Sequence, residues 1–255
     1  MSDNDIADTT RAAGPPIEEA VRVFMLHPET FAESVAAGYD DPFAGYVAGR
    51  GGVLGDATGI TVGSVFAVFE PSFLAGLWDK GVAVRGAAGA AKLYWDQVAG
   101  FARKYLAGAE GLDRIAALGE KIIATTPAAG LPLYAGWRTM PLADDPQARA
   151  LQVMFILREL WGGVHINALA TSAIAPIEAH MLNRGYEYAK IFGWPEPFAD
   201  GADKKDRYEE IERMTNRRMA EILAAALDPG EADELARLSA GAVASLKAVV
   251  PAWTQ

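Results

Sequence analysis

Cysteine is absent from the 255-residue chain, and histidine occurs only at His27, His165 and His180. Without thiols there is no disulfide framework, no thiolate zinc site and no cysteine nucleophile. The histidines form no His-Glu-x-x-His or paired Glu-x-x-His pattern, and Glu178 and His180 point to different helix faces, so no metal site is expected. Positive charge is also short. Lysine and arginine number 23 against 33 aspartates and glutamates, a net charge of -10. That balance excludes a global attraction to nucleic acid or an anionic membrane. Long uninterrupted apolar runs are missing. The stretches near Ile60–Leu77 and Leu151–Ala175 are broken by Glu70, Arg158, Glu159 and His165, so no membrane span is expected. The N-terminus has neither a basic start nor an apolar core, which argues against a signal peptide. Residues 1–15 read as a disordered tail and the location as cytoplasmic.

Sustained alternation with hairpin turns is lacking, as is any strand leading into a Gly-x-Gly-x-x-Gly turn. The absence of Gly-x-Ser-x-Gly argues against a serine hydrolase. What is present is apolar: 51% of residues are hydrophobic, enough for a sizeable core. The apolar positions recur at helical spacing, as in Ile17, Ala20, Val21 and Phe24, or Tyr94, Val98, Phe101 and Tyr105. The expectation is an all-α protein of about ten helices in two packed halves. Residues 16–126 form the first half, 127–146 a packed connection rich in proline and glycine, and 147–250 the second half. Pro71 is expected to kink or split an otherwise buried helix over Thr61–Trp78.

Four blocks carry a resemblance. They are Phe43–Arg50 followed by Val53-Leu54-Gly55, Val68–Leu74, Leu157-Arg158-Glu159 with Gly163–Leu169, and Ile211–Asn216. Together they resemble a mainly actinobacterial family that carries a helix-turn-helix label, over roughly residues 17–248. The resemblance implies a winged DNA-reading segment between the Trp194-Pro195 turn and the last threonine-bearing helix. Here Pro195 to Ile211 is too short for both a recognition helix and a wing. Residues 196–221 hold six basic and eight acidic side chains. A phosphate-reading face needs a basic excess. DNA binding is therefore not expected.

Several polar residues stand in apolar surroundings. Arg158 and His165 lie seven apart on one face of the long helix, and burying them requires partners. Gly162-Gly163 opens space beside His165 for a ligand or a crossing helix. Tyr46 and Arg50 share a face at i,i+4. Glu70, between Phe69 and Pro71, is read as paired with Arg50 or Arg158, or as carrying a raised pKa. Two arrangements fit these residues. One is a set of structural contacts: interhelical ion pairs and a histidine bonded to a carbonyl. The other is a cavity in which Glu70 or His165 is the catalytic proton-transfer group. Tyr46, Arg50, Arg158, Phe69 and Trp161 would then bind an acidic, carbonyl-bearing or hydrophobic ligand. No motif requires a cofactor. A haem ligated by His165 alone fits its apolar neighbours, but no spacing asks for it.

The leading expectation is a protein that binds a small hydrophobic molecule, with or without acid–base catalysis. The alternatives are a degenerate ligand-sensing regulator and a non-catalytic scaffold. A homodimer through Ile211–Leu227 and Leu235–Leu246 is a further expectation, with no membrane partner.

Overall fold

A computed structural model describes the backbone of residues 3–250 and the side chains of residues 12–250. Twelve α-helices follow one another without a strand among the described residues. They are α1 (Asp3–Leu26), α2 (Pro28–Ala36), α3 (Pro42–Gly51), α4 (Gly59–Phe66), α5 (Pro71–Tyr105), α6 (Leu112–Thr125), α7 (Pro132–Trp137), α8 (Pro146–Ala170), α9 (Pro176–Asn183), α10 (Tyr186–Ile191), α11 (Lys205–Ala226) and α12 (Pro229–Val249). The fold is all-α and multi-helical, as the periodicity predicts. Among these described helices, none is long and apolar enough to cross a membrane.

Seven helices begin at a proline: α2, α3, α5, α7, α8, α9 and α12. Proline suits that position, because its missing N–H is one that a helix start leaves unpaired anyway. Aspartates cap three of these starts. Asp41, Asp145 and Asp228 accept from the backbone N–H groups of Phe43, Ala148 and Glu231.

Helix α8 is the axis of the fold. It packs against α1, α5, α6, α7 and α11. Residues 150–157 are all buried, so over this run the helix has no solvent stripe. A helix covered on every side needs no amphipathic period, because each face meets another helix. The main apolar core runs from Ala13 to Val250 and includes Leu133, Tyr134 and Trp137 of the 127–146 connection, with smaller clusters around Ile174 and Ile211 and around Tyr39 and Ala48.

The structure corrects several local expectations. The stretch read as a tail is already helical from Asp3, and Ala13 is fully buried. Ala13 extends the stripe of Ile17, Ala20, Val21 and Phe24, and that burial carries the helix through Pro15 and Pro16. The Thr61–Trp78 segment splits at Pro71, as expected, into α4 and the start of α5, but it is not buried throughout, since Val68 and Phe73 at the break are exposed. His27 is buried, and its Nδ1 accepts from the Glu29 amide across the α1–α2 junction. Ile222, Leu223, Leu235 and Leu246 are buried in the chain's own core, where α12 lies against α1 and α6.

The α3–α5 crossing depends on Gly81. A Cβ there would stand 2.4 Å from the carbonyl oxygen of Ala44, on backbone that has no side chain to yield. Gly81→Ala is expected to destabilise by about 2 kcal/mol through overpacking, despite alanine's better helix propensity. Urea unfolding measures it.

Candidate functional site

Glu159 lies in the middle of α8 and is 1% exposed. A carboxylate at such a place needs compensating charge. Two arginines supply it. Arg50, from the last turn of α3, donates from Nε to Oε1 at 2.8 Å and from Nη2 to Oε2 at 2.9 Å. This is the bidentate fork that a guanidinium offers a carboxylate. Arg158 donates from Nη1 to Oε1 at 3.0 Å. Arg50 is held from three further sides. Its Nη1 donates to the Tyr46 hydroxyl at 3.2 Å, and its Cζ lies 4.4 Å from the centre of the Phe66 ring. Its carbonyl accepts from the Trp137 indole at 3.1 Å.

The electrostatics follow from this packing. Burial alone would raise the Glu159 pKa, but the guanidiniums of Arg50 and Arg158 outweigh it and hold the carboxyl below its ordinary value. Burial alone would lower the Arg50 pKa, and the Glu159 carboxylate together with Tyr46 pushes it above its ordinary value instead. Both groups stay charged. Tyr94, next to this cluster, has its pKa driven far up by burial, and its buried hydroxyl has no hydrogen-bond partner among the described residues.

The ion pair forms the floor of a cleft of about 180 Å³. Arg50 enters from α3, and Ser64 and Val65 from α4. The Gly130–Tyr134 segment forms a second wall, and Glu159, Gly162, Gly163, Ile166 and Asn167 of α8 form the third. The Asn167 amide donates to the Gly130 carbonyl at 3.1 Å and ties two of these walls together. Gly162 keeps the cleft open, because a Cβ there would have only Arg158 Nη1 nearby, at 4.0 Å. A larger depression of about 650 Å³ lies along α11, but its lining from Glu209 to Arg217 comes from that helix alone and cannot enclose a ligand.

The predicted site residues divide. Tyr46, Arg50 and Arg158 meet around Glu159. Phe69 is buried beside Tyr46 and packs on Phe192 with ring centres 4.3 Å apart. Trp161 is half-buried over Gly14 of α1. Glu70 pairs with neither arginine. It caps α5, with Oε2 accepting from the Phe73 amide at 2.6 Å. His165 faces α11, with Nδ1 at 3.4 Å from both Glu212 Oε1 and Thr215 Oγ1. Among the described residues, Glu70 and His165 share no partner with each other or with Arg50. Among the described residues no three His, Asp or Glu side chains stand together as a metal ion would require.

A family model described as a helix-turn-helix family matches residues 10–205. The chain belongs to this helix-turn-helix family. No curated protein and no solved structure matches it. Every residue lining the cleft falls inside the family match, as do Tyr46 and Arg158. Glu212 and Thr215, the partners of His165, lie beyond it. The cleft is thus built from the family region alone.

The sequence marks only part of this site. Arg50 and Arg158 are visible as charges in apolar helices. Glu159 sits on a flanking face in the periodic reading, and only full burial of α8 makes that face interior. Ser64, Tyr134 and Asn167 come together only through tertiary packing.

Proposed function

We propose that the protein is a small-molecule-binding member of its helix-turn-helix family, with the cleft above Arg50 and Glu159 as its ligand site. The observation that carries this reading is the buried, ionised Arg50–Glu159 pair at the floor of an open cleft. Pre-organised polar groups in a concave site are what fix a ligand's orientation. Binding fits better than acid–base catalysis. A carboxyl held below its ordinary pKa by two guanidiniums is a poor proton donor, and a doubly paired arginine is a poor acceptor. The cleft encloses only about 180 Å³. The ligand is therefore small, and more polar than the hydrophobic molecule the composition suggests.

Gly162→Leu tests the reading. A Cβ at this cleft position meets no backbone, the rest of the side chain takes up cleft space, and leucine is about 1 kcal/mol better than glycine in a helix. The variant is expected to keep or slightly raise Tm while losing the fragment binding that saturation-transfer NMR detects in the wild type. Unchanged binding would place the ligand elsewhere.

The family description favours a second reading, a transcription regulator. What speaks against DNA contact is that several basic residues from Arg184 onward are paired. Arg184, Lys190, Lys204, Arg213 and Arg218 each lie against a carboxylate: Glu18, Glu196, Glu178, Glu210 and Glu221 respectively. Neutralised cations release few counterions from a phosphate backbone. Fluorescence anisotropy with a random-sequence duplex at low salt is expected to show no binding at micromolar protein. Salt-sensitive binding would revive the regulator reading.

A further inference from the structure

We infer that the ligand of this cleft is a small carboxylate anion, bound by the guanidinium of Arg158. The inference rests on the reading of the cleft as a ligand site and adds the chemical class.

The first argument is charge. The cluster under the cleft holds two guanidiniums and one carboxylate, so it carries one positive charge in excess. Arg138 adds a further cation at the margin. It lies over the ring of Tyr134, a cleft residue, and donates to the Thr126 carbonyl. Glu159 is the one acidic side chain in the lining. In a chain with a net charge of -10, this cluster is locally cationic. Low-dielectric walls strengthen the attraction of such a place for an anion.

The second argument is a count of donors and acceptors. Both oxygens of Glu159 already accept, one from Arg50 and the other from Arg50 and Arg158. The Tyr46 hydroxyl accepts from Arg50, so its own proton remains to be given. The buried Tyr94 hydroxyl beside it has no partner among the described residues. Arg158 spends one nitrogen on Glu159 and makes no other hydrogen bond among the described residues. Its fork has five N–H groups. Donors outnumber acceptors, and an anion supplies the missing acceptors.

The third argument is access. Arg50 is buried and fully engaged, whereas the Arg158 side chain is 24% exposed. Its Nη1 lies 4.0 Å from where a Cβ on the cleft residue Gly162 would stand. A carboxylate entering there can take a fork from Arg158, while Ser64 and the opposite wall at Gly130–Leu131 receive its short apolar end.

Titration calorimetry with butyrate and its neutral isostere butyramide tests the inference. Charge-assisted hydrogen bonds are worth roughly 1.5–3 kcal/mol, so butyrate should bind at least about tenfold more tightly. The preference should weaken with added salt. In Arg158→Gln the preference for butyrate should vanish, and in Arg158→Lys, which keeps the charge, it should return in part. Equal binding of both probes by the wild type would overturn the anion assignment and leave the cleft a ligand site. Binding of neither probe, or undiminished binding by Gly162→Leu, would overturn both.

Discussion

Glu159→Ala is expected to be among the most destabilising single substitutions in the protein, at about 3–5 kcal/mol. The carboxylate itself contributes little net stability, because its desolvation offsets most of its attraction to arginine. Its removal leaves Arg50, 4% exposed, without a counter-charge in the core. Arg50 cannot escape by losing its proton, and its neighbours Phe66 and Trp137 hold it in place. The double variant Arg50→Met, Glu159→Met removes both charges and is expected to recover most of the loss. Guanidinium unfolding of the wild type, both single variants and the double variant measures this coupling. The pH dependence has a definite sign. The folded-state pKa of Glu159 is depressed, so its contribution is fully present above the ordinary glutamate pKa of about 4.3 and disappears as pH falls through the folded value. In Arg50→Met, Glu159→Met that part of the acid sensitivity should be missing.

Trp137→Ala should cost about 3–5 kcal/mol. Trp137 is fully buried at the end of α7, with ring centres 5.1 Å from Trp95 and 4.9 Å from Phe155. Its truncation leaves a cavity between α5, α7 and α8 and removes the donor to the Arg50 carbonyl. The effect should therefore reach the cleft. Fragment binding is expected to weaken in whatever fraction remains folded. Trp137→Phe keeps most of the volume but loses the indole N–H, and should cost less than half as much by thermal or chemical unfolding. A small cost for Trp137→Ala would mean that the 127–146 connection is not part of the core.

These two residues also show what the sequence reveals and where it stops. Trp137 and Tyr134 in a proline-rich connection already imply that it packs down, and both are buried. Helix starts are legible because proline and a preceding aspartate mark them chemically, as at Asp41-Pro42 and Asp145-Pro146. Glu70 is misread for the same reason that these are read correctly. Placed before Pro71, it is a capping residue, but Phe69 beside it suggests burial and a charged partner. Glu159 is undervalued because periodicity assumes one solvent face, and α8 has none over the run where it matters. His165 is on the expected face, but the element opposite it is α11 rather than a cavity. Contacts such as Arg50 with Glu159, or Asn167 with Gly130, join positions far apart in the chain, and no local pattern encodes them.

The central claim is the location and charge preference of the ligand site. Amide chemical-shift mapping of the isotope-labelled protein during a butyrate titration tests it most directly. The account predicts saturable shifts concentrated at Ser64, Gly130, Leu131, Gly162, Gly163 and Asn167, absent in Gly162→Leu. Shifts centred on α11 around Glu212 and Thr215, or no saturable shifts at all, would contradict it.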